Sequence, residues 1–227
     1  MRKDFVSNVS HELKTPVTLI NGYVETLIDG ASRDKEKLDQ FLNIINRHSK
    51  RISSIISDLL ILSNIEDRGN NIIYEDLFLY DLLFSVYTSV LDNAENGEIS
   101  LKIECDDQLK ISANPILLEQ AIFNLVSNAL KYSGKGSQVI ITGKMGSSTS
   151  NKQIHIQVKD DGIGIAKDQL DRIFERFYRV KKKHGEKMEG TGLGLSIVRH
   201  IILAHNGSID VSSQEGKGCC FSIALPC

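Results

Sequence analysis

Apolar residues recur at three- and four-residue steps through residues 1–66 and then give way to shorter runs of mixed period. Phe5, Val9, Leu13, Val17, Ile20, Val24 and Leu27 keep one side of a first helix apolar. Leu38, Leu42, Ile45, Ile52, Leu59 and Leu62 do the same for a second, reinforced by Phe41, Ile55 and Ile56. Between them Asp29-Gly30-Ala31-Ser32 supplies a break, with Gly30 suited to a helix C-terminus and Ser32 to the cap of the next helix. The spacing drifts towards seven residues, as a bundle seam requires. One hairpin cannot bury so wide a stripe, and two can. A homodimeric four-helix bundle is therefore the natural solution, with packing of the hairpin on its own downstream domain as the alternative.

Residues 67–72 are polar and contain Gly69, which predicts a linker. Residues 73–227 then read as a second domain. A helix is expected over Leu79–Ala94, and another opens at Asn114-Pro115, with proline at its first position. Strands are expected near 99–104, 109–112, 138–144, 153–159, 209–212 and 220–225. The clearest alternates Ile154, Ile156 and Val158 with His155, Gln157 and Lys159. This order of elements predicts an α/β sandwich, helices covering one face of a sheet.

Composition narrows the classes. A net charge of −2 argues against direct nucleic-acid binding through a broad basic surface. No apolar run reaches the roughly 18–20 residues of a membrane helix. Cys105, Cys219, Cys220 and Cys227 have neither C-x-x-C spacing nor histidines at zinc-finger spacing, which points to inert thiols in a reducing compartment.

Four clusters carry chemistry. On the helix from Pro115, Asn124, Asn128 and Lys131 fall at steps of four and three and share a face. An amide oxygen suits Mg²⁺ whose other ligands are phosphate and water; a solvated polar face is the bland alternative. Asp160-Asp161-Gly162-Ile163-Gly164 follows the alternating strand, where a carboxylate can accept from an exocyclic amine and glycines let backbone approach a ligand; alone, it is also an ordinary turn. Gly190-Thr191-Gly192-Leu193-Gly194 opens a helix whose exposed amides suit phosphate. It lacks the preceding strand of a dinucleotide fingerprint and the Gly-Lys-Ser/Thr of a P-loop. The polar run 181–187 before it is expected to be a mobile lid. Finally, His11-Glu12 with Thr15 one turn on lacks the second histidine of a zinc protease. It suits a nucleophilic imidazole beside a carboxylate base, although a lone helical histidine is more often structural.

In this order the clusters resemble the boxes of sensor histidine kinases. Residues 5–16, containing Ser10-His11-Glu12-Leu13-Lys14-Thr15-Pro16, resemble the H box. Residues 124–132 resemble the N box, 160–164 the G1 box, 174–179 (Phe-Glu-Arg-Phe-Tyr-Arg) the F box and 190–194 the G2 box. The wording of the H box and of Phe177-Tyr178-Arg179-Val180 is nearest to the phosphate-regulon type. The resemblance spans essentially the whole chain and implies a dimerisation and phosphotransfer hairpin followed by an ATP-binding domain of the Bergerat (GHKL) type. His11 would take the phosphoryl group from ATP and pass it to an aspartate of a response regulator. Glu12 would be the base, and Thr15 the residue that orients water for dephosphorylation of that regulator. Asn128 would ligate Mg²⁺, with Asn124 supporting it. Lys131 and Arg179 would contact phosphates, Tyr132 and Tyr178 would flank the nucleotide, and Asp160 would bind the adenine amine. Gly162, Gly164, Gly190, Thr191, Gly192, Leu193 and Gly194 would shape pocket and lid. Kinases of this type carry sensors and often membrane helices upstream, so a cytoplasmic portion of a membrane-anchored protein is expected. A serine kinase or conformational ATPase on the same ATP-binding fold would have no use for the H box, and a silent ATP-binding scaffold would be expected to have degenerate boxes.

Overall fold

The computed structural model describes residues 2–67, 72–146, 152–180 and 190–226, leaving aside the side chains of residues 2–4, 66 and 67. Helices α1 (Arg2–Ile28) and α2 (Lys35–Asp67) form the expected hairpin. Tyr23 meets Phe41 at 5.0 Å between ring centroids and Glu12 meets Arg51, so the two run antiparallel. Gly30 ends the first helix at φ +116°. The cap of the second is Asp34, not Ser32: Ala31–Arg33 form a 3₁₀ turn, and Asp34 Oδ1 accepts from the amides of Glu36 and Lys37 at 3.1 and 3.3 Å. Pro16 lies buried inside α1 without ending it.

The hairpin's apolar stripe is only partly buried. Ile55, Leu62 and Ile65 of α2 are buried, and α2 packs against α5 (Gly194–Ala204), so the hairpin does lean on its own downstream domain. Val17, Val24 and Ile28 of α1, and Leu42, Ile56 and Leu60 of α2, remain exposed.

Helix α2 runs through Asp67, and residues 68–71 of the expected linker lie outside the described residues. Next come β1 (Glu75–Phe78) and α3 (Leu79–Asn96), β2 (Ser100–Cys105), β3 (Lys110–Ala113) and α4 (Pro115–Tyr132). After them come β4 (Gln138–Met145), β5 (Gln153–Asp160), α5, β6 (Ser208–Ser213) and β7 (Cys219–Pro226). Strand β1 was not foreseen. It pairs antiparallel with β3 as a two-stranded ribbon and shows no burial alternation for a sequence to reveal. The remaining strands form one sheet in the order β2-β4-β5-β7-β6, parallel between β2 and β4 and antiparallel elsewhere.

Helices α3, α4 and α5 cover one face of that sheet. On β5, Ile154, Ile156 and Val158 are buried beneath them while His155, Gln157 and Lys159 face outward. Each such buried aliphatic side chain stabilises by about 1.5–3 kcal/mol. The period-two pattern therefore fixes which face of β5 the helices take. Helix α4 is capped by Asn114, whose side chain accepts from Leu117 N at 3.0 Å, with Pro115 at the first helical position.

Candidate nucleotide site

The packing that buries Leu118, Ala121, Ile122, Leu125 and Val126 of α4 turns its opposite face towards the end of β5 and the start of α5. Asn124, Asn128, Lys131 and Tyr132 thereby line a cavity of about 510 Å³, together with Asp160, Gly164, Tyr178, Arg179, Gly190, Thr191, Gly192 and Gly194. Phe123, Ile163, Ile165, Ile173 and Phe221 give it an apolar wall. A volume of this order, with an apolar wall facing convergent polar and charged groups, is that of a small-molecule site.

Asp160 is the buried charge of the cavity, 4% exposed. Its Oδ1 accepts from the amides of Gly162 at 2.8 Å and Cys219 at 3.3 Å. Both bonds fall on Oδ1, so Oδ2 is the atom left to meet a ligand. Burial raises the carboxyl's pKa above its ordinary value, and the two amides pull against that shift. Cys219 was not singled out in the sequence: it contributes a backbone N–H, while burial pushes its thiol up to about 11.

Two glycines hold the cavity's backbone where no other residue fits. Gly164 takes φ +67°, and a Cβ there would sit 2.1 Å from the Gln214 carbonyl oxygen. Gly192 takes φ +72° with a Cβ position 2.7 Å from the carbonyl carbon of Phe177, while its own carbonyl accepts from Phe177 N at 2.8 Å. Two of the residues expected to shape the pocket do not line the cavity. Leu193 is fully buried in the hydrophobic core, with its amide bonded to Thr191 Oγ1 at 3.2 Å. Gly162 lies beneath Asp160 as the donor of its amide.

The side chain of Asn124 is committed within the protein. Its Oδ1 accepts from Gln120 at 3.3 Å and its Nδ2 donates to the Gly194 carbonyl at 3.5 Å, tying α4 to the start of α5. Asn128 remains the amide best placed as a ligand. The donor set suits Mg²⁺ that arrives with phosphates: one amide oxygen beside Lys131, and among the described residues no group of three acidic, His or Cys side chains to cage an ion. Tyr178 donates to Gln169 Oε1 at 3.3 Å under the Arg172 guanidinium, 4.5 Å from its ring. Residues 181–189, with the expected lid, lie outside the described residues.

The H-box residues sit beside this cavity, not in its lining. His11 is exposed at the surface of α1, and Thr15 donates to the His11 carbonyl at 3.2 Å. Glu12 is half-buried between two guanidiniums: Arg51 of α2 at 2.8 Å through Oε2, and Arg179 through Oε1. Helix α2 also supplies cavity wall that sequence reasoning passed over, namely Arg47, His48, Arg51, Ser54 and Asp58. Asp58 Oδ2 accepts from Thr191 Oγ1 at 3.0 Å, and burial raises its pKa. The missed signal is the spacing: 47, 51, 54 and 58 step by four, three and four, one polar stripe along the helix.

Residues 113–227 match the family described as histidine kinase-, DNA gyrase B-, and HSP90-like ATPase, and residues 1–68 match the His Kinase A phospho-acceptor domain. The chain belongs to the histidine kinases. Sensor protein kinase WalK of Staphylococcus aureus is 37% identical over 230 residues, covering all of this chain and 54% of that protein. WalK of strain Newman shows the same identity with 37% of its length covered. The chain thus spans about half or less of the length of these curated relatives. Among solved histidine kinases, AdeS of Acinetobacter baumannii is 26% identical with a TM-score of 0.75, covering 95% of this chain and 97% of that one. The histidine kinase ThkA, solved in complex with the response regulator protein TrrA, shares the fold: TM-score 0.75 at 24% identity, 98% of this chain and 61% of that one. None of these matches bears on the phosphate-regulon subtype.

Proposed function

We propose that the chain phosphorylates itself on His11 from ATP and hands the phosphoryl group to an aspartate of a response regulator. The observation that carries this is the contact across the two parts of the fold. Glu12, next to His11, is ion-paired with Arg179 of the cavity wall, so the H box and the nucleotide site already meet. Adenine would lie against the apolar wall with its amine on Asp160 Oδ2, and the phosphates would run towards Lys131, Arg179 and Asn128. Mg²⁺ on Asn128 would neutralise phosphate charge. A ring nitrogen of His11 attacks the γ-phosphorus in line as the bond to the ADP oxygen breaks, while Glu12 takes the proton from the other ring nitrogen.

The TrrA complex of ThkA supports a response regulator as the partner. Thr15 supports a phosphatase activity towards it. Exposed apolar residues at 17, 24 and 28 and at 42, 56 and 60 keep heptad spacing on both helices, which supports a second hairpin as the missing half of a four-helix bundle. Among the described residues no helix is long and apolar enough to cross a membrane.

Incubation with γ-labelled ATP and Mg²⁺ tests the central claim. Label that is acid-labile and alkali-stable, and absent from His11→Ala and Asn128→Ala, is expected. Acid-stable label would sink the histidine assignment.

A further inference from the structure

Two arginines reach the same place from opposite parts of the fold. Arg51 comes from α2 of the hairpin and Arg179 from the second domain, and both line the cavity. They share two acceptors. One is the Glu12 carboxylate; the other is the Gly190 carbonyl, at 3.5 Å from Arg51 Nη2 and 3.2 Å from Arg179 Nη1. Each also carries a buried Nε–H that has no hydrogen-bond partner among the described residues. A buried donor left without an acceptor is costly, and guanidinium donors are the ones a phosphate satisfies in pairs. Two such orphans flanking one carboxylate mark a site filled short of its capacity for anion oxygens. Arg47 adds positive potential along the same wall, and burial together with Arg47 and Arg51 lowers the pKa of His48, which favours its neutral imidazole. Of the carboxylates near the wall, Asp58 is taken by Thr191, which leaves Glu12 as the anion the two guanidiniums hold.

We propose that Arg51 is part of the nucleotide site: with Arg179 it takes the terminal phosphate of a nucleoside triphosphate in exchange for Glu12, and thereby frees that carboxylate to act beside His11. This deepens the proposed function and rests on the assignment of the cavity to ATP. A diphosphate ends one phosphate short of these guanidiniums, so Arg51 distinguishes the triphosphate from the diphosphate. It also makes the hairpin itself a reader of the cavity's occupancy. In the absence of a triphosphate the same ion pairs hold Glu12 away from proton transfer.

The test is calorimetric titration of the purified chain with Mg²⁺ and either ADP or the non-hydrolysable triphosphate AMPPNP. Arg51→Ala should lose about tenfold or more in AMPPNP affinity, the loss of a charge-assisted contact, with ADP affinity within about twofold of the wild type. The unchanged ADP affinity also shows that the variant is folded. Arg51→Lys, which keeps the charge without the fork, should fall between. Glu12→Gln removes the competing anion and should tighten AMPPNP but not ADP, and that gain should shrink in the Glu12→Gln, Arg51→Ala double variant. Equal effects of Arg51→Ala on the two nucleotides, or none on either, would overturn the proposal while leaving the nucleotide site standing. A wild-type chain that binds neither nucleotide would remove the proposed function along with it.

Discussion

Substituting Asp160 by asparagine separates what that residue does for the fold from what it does for the ligand. Both amides that reach Asp160, from Gly162 and Cys219, bond Oδ1. An asparagine keeps that oxygen and both bonds. It replaces Oδ2 with an NH₂ group that meets the adenine amine donor to donor. A hydrogen bond to a charged acceptor is worth about 1.5–3 kcal/mol, so ATP affinity should fall roughly 10- to 150-fold. GTP, which presents a carbonyl oxygen at the corresponding ring position, should lose less, so the preference between the two nucleotides narrows. Stability should move the other way. Burial holds this carboxyl's pKa above its ordinary 3.8, so the folded chain binds more protons than the unfolded one across the window above that value. The carboxyl's contribution is therefore full below 3.8 and is lost as pH rises through the folded value, leaving the ionised group a net cost at neutral pH. Thermal melts should show Asp160→Asn at least as stable as the wild type at pH 7, with the gain shrinking below pH 4. Nucleotide titration reads the first effect and the melts read the second. Affinity for ATP within twofold of the wild type would refute the adenine contact, and a lower melting temperature at pH 7 would refute the burial argument.

Two further outcomes follow from other parts of the fold. His205 is buried with Nε2 accepting from Asn114 N at 3.0 Å and Nδ1 donating to the Ile201 carbonyl at 2.8 Å, and burial lowers its pKa. The folded state therefore resists its protonation: the stability it contributes is complete above about 6.5 and is lost as pH falls from there towards the lowered folded value. Urea melts between pH 5.5 and 7.5 should show that slope in the wild type and less of it in His205→Gln, and equal slopes would remove His205 from the account. On α2, Ile56 and Leu60 are 46% and 59% exposed; changing both to glutamate should shift sedimentation from a dimer's mass to the 25.3 kDa of one chain, whereas a wild type already sedimenting at 25.3 kDa would refute the bundle.

The sequence shows most clearly what is periodic or capped locally. Ile154, Ile156 and Val158 mark β5 because alternation is a property of the strand itself, and Asn114-Pro115 marks the start of α4 because cap and proline act within one turn. The helical step that puts Asn124, Asn128 and Lys131 on one face is equally local, and the structure brings all three to one cavity. Ser32 failed as a cap because a 3₁₀ turn of three residues intervened, a choice made by the geometry of the reversal at Gly30 and not by side-chain type. Strand β1 was hidden because it turns only Leu77 towards the core and so has no alternation of its own to display, unlike its partner β3.

Leu193 and Arg51 are the instructive pair. A glycine-rich motif reads as one functional unit, yet one of its side chains turns inward, so Leu193 joins the core while Gly190, Thr191, Gly192 and Gly194 line the cavity. Arg51 failed in the other sense. Its polar stripe is plain in the sequence, but an arginine on a helix surface reads as solvated until a second domain is laid against it. Only the docking of α2 on α5 turns that stripe into cavity wall and sets Arg51 beside Arg179, 128 positions further on by the two residue numbers. Side chains whose role depends on one domain covering another carry no local signature. They are also the residues through which the hairpin and the nucleotide site can act on each other: Arg51 meets Glu12 within the hairpin, but Arg179 reaches that carboxylate only when the second domain is docked.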